Sequence, residues 1–539
     1  MKMIKYYVLL LTVSVFFVWL SFNNSYMLVP SLWLTISLSC VLFAYSTNRP
    51  SLFRKSAAGE IPWWIKILLL PYLVCVQLYN GIMRNNDSVP AIQEITPNLF
   101  LACRLFPSDI ETLKSQKVTA ILDVTAEFDG FNWSAQQEGF YYLNIPILDH
   151  FSPTEAQLEH ALRWITAMHD LNQKVVVHCA LGRGRSFFMT CAYLLMSEPE
   201  LSVRDAISTV QSVRSTARLN TKQLKVLVEL SQNFAKKPQP ELNMIINPVS
   251  GAGKWLLYTN DIVGMLTRQY VLNFHFTKKD TDVYQLTKSL QTRDESMVFV
   301  ACGGDGTVAE VAAAVKNTSH QLGVLPLGTA NALAHVMFGV ESKISPINQA
   351  CEILFRAETK QMDTMVCNKK TVLLVIAIGF GEQMINQANR LQKNELGQLA
   401  YIQGFINAFI ENKSQQIKLT IDDEPVQQLS NSSLTIANAA PITTLLAQGA
   451  GEPNWRDGLL DVTLIEHDSS SAHRLLSLAE LVSNTISGDN SSNSSVSHYH
   501  AKKILLQSSE GFKYSIDGET ESAEQLMVEI MPASLTIIC

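Results

Sequence analysis

The sequence predicts a multidomain protein: N-terminal transmembrane helices, an α/β domain, then a two-lobed segment in which an α/β lobe precedes an antiparallel, β-rich lobe. Three observations predict it. Two apolar runs, Tyr6–Phe22 and Met27–Tyr45, open the chain, parted by the polar turn Asn23-Asn24-Ser25. The stretch VVVHCALGRGRS, Val175 to Ser186, joins a β-branched strand to an apolar helix through a glycine loop. Three further strand-to-glycine-loop transitions follow Asn243, and beyond Asp363 the apolar residues fall in short, strand-length runs.

At 539 residues the chain has room for two or three domains beyond its membrane region. A net charge of −6 excludes the basic footprint of a nucleic-acid binder, so no nucleic acid is expected among its partners. The nine cysteines lack paired spacing and read as reduced thiols, and no CxxC motif or His-rich cluster suggests zinc.

The membrane region is placed at 1–82. A helix needs about 20 apolar residues to cross a bilayer, with a lower limit near 17, which both opening runs meet. Lys2 and Lys5 precede this hairpin and Arg49, Arg54 and Lys55 follow it, so the positive-inside bias puts both ends in the cytoplasm. A third segment, Ile61–Tyr79, carries Lys66 and Pro71 and has only a short clean core from Ile67. It reads as an in-plane or re-entrant segment with Trp63, Trp64 and Tyr79 at interface depth. The alternative is a third crossing, which would carry the rest of the chain to the opposite side. The expected protein is therefore multi-pass, with membrane lipids as partners and the domains beyond residue 82 on the cytoplasmic face.

The second domain spans 88–235. Its strand–loop–helix unit aims backbone N–H groups and a helix N-terminus at one point, which suits a phosphate. The same field favours thiolate over thiol at Cys179. Arg185 can grip two phosphate oxygens as a planar fork, and Ser186 can hydrogen-bond the thiolate and help it leave. The pattern HCxxGxGRS, with His178 before Cys179, resembles the signature of cysteine-dependent phosphatases, most closely the dual-specificity branch. That resemblance makes Asp149, 30 residues before Cys179, the general acid, a role worth roughly 10²–10⁴ in rate. Asp123 and Asp129 are less well placed. Glu94–Leu101 is expected as the opening strand, Ser108–Gln116 as a helix and Val118–Val124 and Tyr142–Asp149 as strands. Ser152-Pro153-Thr154-Glu155 forms a capping box with proline at the first helical position. Helices then cover about Val203–Thr216 and Thr221–Phe234. Arg183 reads either as a second cation inside the loop, suited to a highly anionic headgroup, or as a solvated arginine.

A linker at 236–242, rich in lysine and proline, leads into an α/β lobe at 243–360 and a β-rich lobe at 361–539. The first glycine loop holds Asn247, Ser250 and Gly251. The second holds Gly303, Gly304, Asp305, Gly306 and Thr307, and the third Gly328, Thr329 and Asn331. Glycine lets the backbone approach phosphates while hydroxyls and amides donate to them, so these loops form a nucleotide cradle for ATP. A carboxylate there repels phosphate unless a cation lies between, so Asp305 implies Mg²⁺.

GGDGT together with PLGTANALA resembles the diacylglycerol kinase catalytic domain shared by bacterial lipid kinases and sphingosine kinases. The resemblance covers Asn243–Cys539 and implies a lipid held by the β-rich lobe, with catalysis in the cleft between lobes. NELGQLAYI and DGLLDV match family landmarks and offer Asp457 and Asp461 as second-metal or structural carboxylates. Asp517-Gly518-Glu519 matches a late motif whose carboxylate orients or deprotonates the acceptor hydroxyl. NAAPITTLLAQGAGEPNW replaces the family's glycine-rich run, and Ala332 after Asn331 leaves the acceptor open between diacylglycerol and a sphingoid-type lipid. Ser483–Ser497 reads as a Ser/Asn-rich loop. The combined expectation is a membrane-anchored bifunctional enzyme: a cysteine phosphatase acting on a lipid phosphate or a phosphoprotein, and an ATP-dependent lipid kinase. The alternative is a phosphoprotein phosphatase with a regulatory, nucleotide- or lipid-sensing kinase-like domain.

Overall fold

A computed structural model describes residues 2–56, 58–128, 139–232, 239–292, 295–339, 344–379, 415–440, 453–466, 496–517 and 519–539. Asp129, the NELGQLAYI landmark, most of the NAAPITTLLAQGAGEPNW stretch and nearly all of the Ser/Asn-rich loop lie outside the described residues. The chain divides into two compact units, the first almost entirely Met1–Pro240 and the second completed at Cys539.

The first unit begins with α1 (Lys2–Leu20), α2 (Ser25–Thr47) and α3 (Trp63–Asn85). Asn24 caps α2 by accepting from the Tyr26 N–H, and Asn48 closes it in the left-handed region, so polar residues set both ends of an apolar span. All three helices are long and apolar enough to cross a membrane by length and composition. The third departs from expectation: it runs unbroken for 23 residues to Asn85, because Pro71 lies in its interior without ending it.

The α/β domain that follows consists of β1 (Ile92–Thr96), β2 (Leu99–Ala102), α4 (Ile110–Ser115), β3 (Val118–Asp123), β4 (Tyr141–Asn144), α5 (Glu155–Asp170), β5 (Lys174–His178), α6 (Arg185–Ser197), α7 (Val203–Val213) and α8 (Thr221–Ser231). The five strands lie in the order β1-β2-β5-β3-β4. Only the β1–β2 pair is antiparallel; β5 is the central strand, parallel to β2 and β3, and is buried from Val175 to His178. A strand covered on both faces needs apolar residues at every position, which is why VVV shows no alternation.

Three expectations need correcting. The opening strand is a hairpin of two, since the turn Pro97-Asn98 divides it. The Tyr142–Asp149 strand ends at Asn144, and beyond it the Ile147 carbonyl accepts from the Arg185 guanidinium instead of a ladder partner. The cap of α5 is Thr154, paired reciprocally with Gln157, so the helix starts two residues later and Pro153 precedes the cap.

In the second unit β6 (Glu241–Ile246), α9 (Lys254–Leu266), β7 (Val271–Phe276), α10 (Val283–Leu290), β8 (Val298–Gly303), α11 (Asp305–Val315), β9 (Gln321–Pro326), α12 (Ala332–Phe338) and α13 (Pro346–Arg356) alternate as an α/β lobe should. Strands β6, β8 and β9 are parallel, so their C-terminal ends, and the glycine loops after them, gather at one edge. The β-rich lobe holds β10 (Thr359–Cys367), β11 (Lys370–Val372), β12 (Val375–Gly379), β13 (Gln415–Ile421), β14 (Gln427–Ala437), β15 (Leu460–Glu466), β16 (Val496–Ala501), β17 (Lys503–Ile516) and β18 (Glu519–Ile538). Its described pairings are antiparallel among themselves. Both lobes share one 13-stranded sheet, because β18 pairs with β17 and β10 and then, at Thr536 and Ile537, runs parallel to β9.

Candidate active sites

The loop after β5 carries the first site. Ser186 Oγ donates to Cys179 Sγ at 3.1 Å, and both residues are buried. Arg185 opens α6 with a fully buried guanidinium: Nη1 and Nη2 donate to the two oxygens of Glu127 at 2.9 and 2.6 Å, and Nη1 also donates to the Ile147 carbonyl at 2.7 Å. Its Nε is buried without a hydrogen-bond partner, a donor left over for an oxyanion. Burial alone would lower the Arg185 pKa, but the Glu127 and Asp149 carboxylates reverse this and hold it well above its ordinary value.

Asp149 Oδ1 lies 3.4 Å from Arg185 Nη2, on a carboxylate that is 43% exposed and can meet a leaving group from solvent. Asp123, by contrast, is sealed. Lys55 Nζ reaches it at 2.6 Å, Tyr142 Oη at 2.7 Å, and Thr125 donates twice. Burial would raise its pKa, and Lys55 and His178 hold it well below the carboxylate range, so it is no proton donor. His178 sits behind the loop, buried on β5 with Nε2 3.8 Å from Asp123, and burial lowers its pKa despite that carboxylate. Its ring nitrogens are buried and make no hydrogen bond.

The loop's shape has its own supports. Gly182 has φ +67°, and a Cβ there would meet the Arg214 guanidinium at 2.8 Å. Arg214, fully buried, donates to the Leu181, Pro90 and Gln93 oxygens. Arg183 is not free for a headgroup: its Nη2 pairs with buried Asp87 at 3.1 Å. From α3, Asn80 Nδ2 donates to the Ala180 carbonyl at 2.7 Å, inside the catalytic loop itself. Arg84 binds Asp109 at 2.7 and 2.9 Å and also the Arg104 carbonyl, whose residue in turn donates its N–H to Ala180. The apolar helices therefore take part in the site, which the sequence reading kept separate.

The second site lies where the three glycine loops meet. Gly304 and Gly328 touch backbone to backbone: a Cβ on Gly328 would fall 2.4 Å from the Gly304 Cα, and one on Gly251 2.2 Å from the Leu327 carbonyl. Gly303 accepts from the Leu327 and Gly328 N–H groups, fastening the second loop to the third. Asn331, at φ +50°, donates to the Pro326 and Gly328 carbonyls and starts α12. Asn247 accepts from the Val249 N–H, Thr307 is buried, Thr329 is exposed in the third loop and Gly306 is exposed in the first turn of α11. Lys254 Nζ, absent from the expected set, donates to the Gly328 carbonyl at 2.7 Å.

Asp305 heads α11 and accepts from the Leu333 N–H at 3.4 Å; burial raises its pKa against several backbone donors. Asp517 accepts from the Leu373, Leu374 and Val375 N–H groups at 3.0–3.1 Å. Burial pushes it up to about 6, with a contribution from the negative charge of Asp305. Glu519 opens β18, opposite Ile516. Asp457 is exposed in a turn, where it accepts from the Leu459 N–H, and does not join Asp461. Asp461 faces two histidines instead.

These two sites define a cysteine-dependent phosphatase joined to a two-lobed lipid kinase. Residues 99–233 match the dual specificity phosphatase catalytic domain, 241–367 the diacylglycerol kinase catalytic domain, and 375–539 the YegS C-terminal NAD kinase beta sandwich-like domain. The chain belongs to the same family as an uncharacterized protein of Synechocystis (strain ATCC 27184 / PCC 6803 / Kazusa), 34% identical over 305 residues, 55% of this chain and 69% of that protein. A protein of Staphylococcus aureus (strain MSSA476), described as a candidate lipid kinase, is 24% identical over 281 residues, 50% of this chain and 86% of its own. Among solved structures, a diacylglycerol kinase from Bacillus anthracis str. Sterne aligns at 18% identity with a TM-score of 0.42, covering 56% of this chain and 98% of that one. PTPMT1 in complex with PI(5)P aligns at 23% identity with a TM-score of 0.26, covering 27% and 97%.

Proposed function

We propose that the chain is a membrane-associated, bifunctional lipid phosphate enzyme. Its first site removes a phosphoryl group from a lipid phosphomonoester, and its second transfers one from ATP to a lipid hydroxyl. The observation that carries the first half is the buried Arg185, its Nε unpartnered, beside the Ser186–Cys179 pair. Cys179 Sγ attacks phosphorus and the bond to the leaving oxygen breaks as Asp149 delivers its proton there. Water then attacks the phosphocysteine, its proton returns to Asp149, and the sulfur leaves as a thiolate stabilised by the Ser186 hydroxyl. Arg185 and the loop amides hold the equatorial oxygens throughout.

Context supports a lipid substrate. Ile61, Ile65 and Leu69 share an apolar cluster with Ala126 and Leu148 of the phosphatase domain, while Asn80 and Arg84 bind that domain near the far end of α3. A helix of 23 residues is about 34 Å long, more than the ~30 Å hydrocarbon core. Contact with one domain along that length supports α3 lying beside the domain, at the membrane surface, with the loop facing lipid.

For the kinase half, the packed glycine loops support a phosphate cradle, with Lys254 beside it. Asp305 and Asp517 fit a divalent cation, since burial raises the pKa of both and the charge of Asp305 raises that of Asp517 further, so a cation between them would offset negative charge that the fold leaves unbalanced. Mg²⁺ bound there would neutralise charge developing on the transferred phosphoryl group. Asp517 would orient the acceptor hydroxyl, with Glu519 beside it in sequence.

The test is to incubate the full chain in lipid–detergent micelles with labelled ATP and diacylglycerol, a long-chain base or a ceramide, alongside Asp305→Ala. In parallel, phosphate release from lipid phosphates and from a phosphotyrosine peptide is compared, with Cys179→Ser as control. Label entering one lipid class, lost in Asp305→Ala, is expected, together with a lipid preference of the phosphatase. A peptide preference, or no labelled lipid with any acceptor, overturns the corresponding half.

A further inference from the structure

We propose that Asp461, His498 and His500 form a binding site for one divalent transition-metal ion of the zinc class, separate from the magnesium chemistry of the kinase cleft. The site comes from strand register. In β15, Leu460, Val462 and Leu464 point into the core of the β-rich lobe, and in β16 Tyr499 packs against that core and Ala501 lies within it. The alternation of strands therefore turns Asp461, His498 and His500 to the opposite face. Asp461 lies directly across from His500, and His498 two pairs further along, across from Thr463.

The donor atoms converge. Asp461 Oδ1 is 3.1 Å from His500 Nε2 and 3.5 Å from His498 Nε2, and one ligand atom from each of the three residues lies within 4.8 Å of the others. Ligands at ~2.0–2.2 Å from a tetrahedral ion stand about 3.3 Å apart, between the two measured separations. A second observation is independent of this spacing. Asp461 is only 8% exposed, and its Oδ2 is buried with no hydrogen-bond partner, as are both ring nitrogens of His498. Buried polar atoms are rarely left unsatisfied, and a coordinated cation would satisfy the group.

Two imidazoles and one carboxylate suit zinc or its neighbours, whereas magnesium keeps oxygen ligands and water. Three protein ligands leave a fourth position for water. The ion would fasten β16, the edge strand of the sheet, to β15, closing a connection that runs through residues 467–495. In the sequence the His-x-His pair carries little signal of a metal, because its third ligand is 37 residues upstream of His498.

The full chain in detergent is stripped with a chelator, then titrated with Zn²⁺ by calorimetry and with Co²⁺ by visible absorption. One equivalent per chain and the d–d bands of a tetrahedral site are expected, unchanged by a large excess of Mg²⁺. His500→Gln, an exposed position that leaves the strand intact, and His498→Gln should each weaken binding by more than the ~10–100-fold that loss of an outer partner costs. The thermal midpoint of the kinase-domain transition in the metal-free protein, unchanged from wild type, reports that the lobe carrying each substitution is folded. Equal stoichiometry and affinity in wild type and both variants, no bound ion in the wild type, or displacement of Co²⁺ by Mg²⁺ would each overturn the proposal.

Discussion

Replacing Glu127 by glutamine separates two roles of the buried ion pair that holds Arg185. The substitution keeps size and shape and removes one charge from a pair whose side chains are 0% and 3% exposed. With charge centres ~4 Å apart and an effective dielectric of about 20, their attraction is ~4 kcal/mol. Removing one partner of a buried pair costs about 3–5 kcal/mol, because the other charge stays buried. In phosphate-free buffer the phosphatase domain should therefore lose ~3–5 kcal/mol of stability, read as a drop in its thermal midpoint in detergent. An oxyanion offers the stranded guanidinium a new partner. Vanadate should bind the variant at least about tenfold more tightly than wild type, since ~1.4 kcal/mol of the lost attraction is enough for that factor. It should also restore most of the lost midpoint. Calorimetric titration with vanadate and a melting series across vanadate concentrations supply both numbers. A variant as stable as wild type that binds vanadate no better would refute the account of Glu127 as the counter-charge of Arg185.

Asp149→Asn should lower phosphatase kcat by roughly 10²–10⁴ on an alkyl phosphate and far less on p-nitrophenyl phosphate, whose leaving group needs no proton; equal losses on both would remove the acid role. Asn80→Ala strips the Ala180 carbonyl of one of its two donors, with a cost of ~0.5–1.5 kcal/mol, and should slow both turnover and iodoacetamide labelling of Cys179; an unaltered rate would make Asn80 a packing residue only. Gly328→Ala has no room beside Gly304 and should abolish kinase activity while leaving phosphatase activity intact in the same preparation. Asp517 has a folded pKa of about 6 against an ordinary 3.8, so between those values the folded chain keeps a proton that the unfolded chain has released. Its contribution to kinase-domain stability is therefore present at the acid end of that window and lost as pH rises through about 6. The midpoint of the kinase transition should fall across the window in wild type and stay flatter in Asp517→Asn.

The loop at Cys179 and the three glycine loops were legible because their chemistry is local: strand, turn and helix follow one another in sequence. Glu127 was not, since nothing beside it marks an ion pair with a residue 58 positions on. The signal available was topological. Glu127 follows β3, which neighbours β5, and residues just past the ends of adjacent parallel strands face each other. Asn80 and Lys55 were missed because hydropathy treats the membrane region as a solvent problem, whereas a polar residue at its margin can be reaching for a domain. Lys55, read as a topological charge, is in fact held by Asp123. The shared sheet was illegible as well. No local pattern says that Thr536 will lie beside Gln321.

That last pairing bears on the order of events during synthesis. The phosphatase domain's strands all lie between Ile92 and His178, and its sheet is complete early in translation. Strand β9 gains β18 as a neighbour only after more than 200 further residues have been made, and until then its outer edge is an unpaired template. On the ribosome, a nascent chain able to cleave phosphate esters would therefore precede one able to make them. Chaperones that shield strand edges should associate with this protein in the interval between the two.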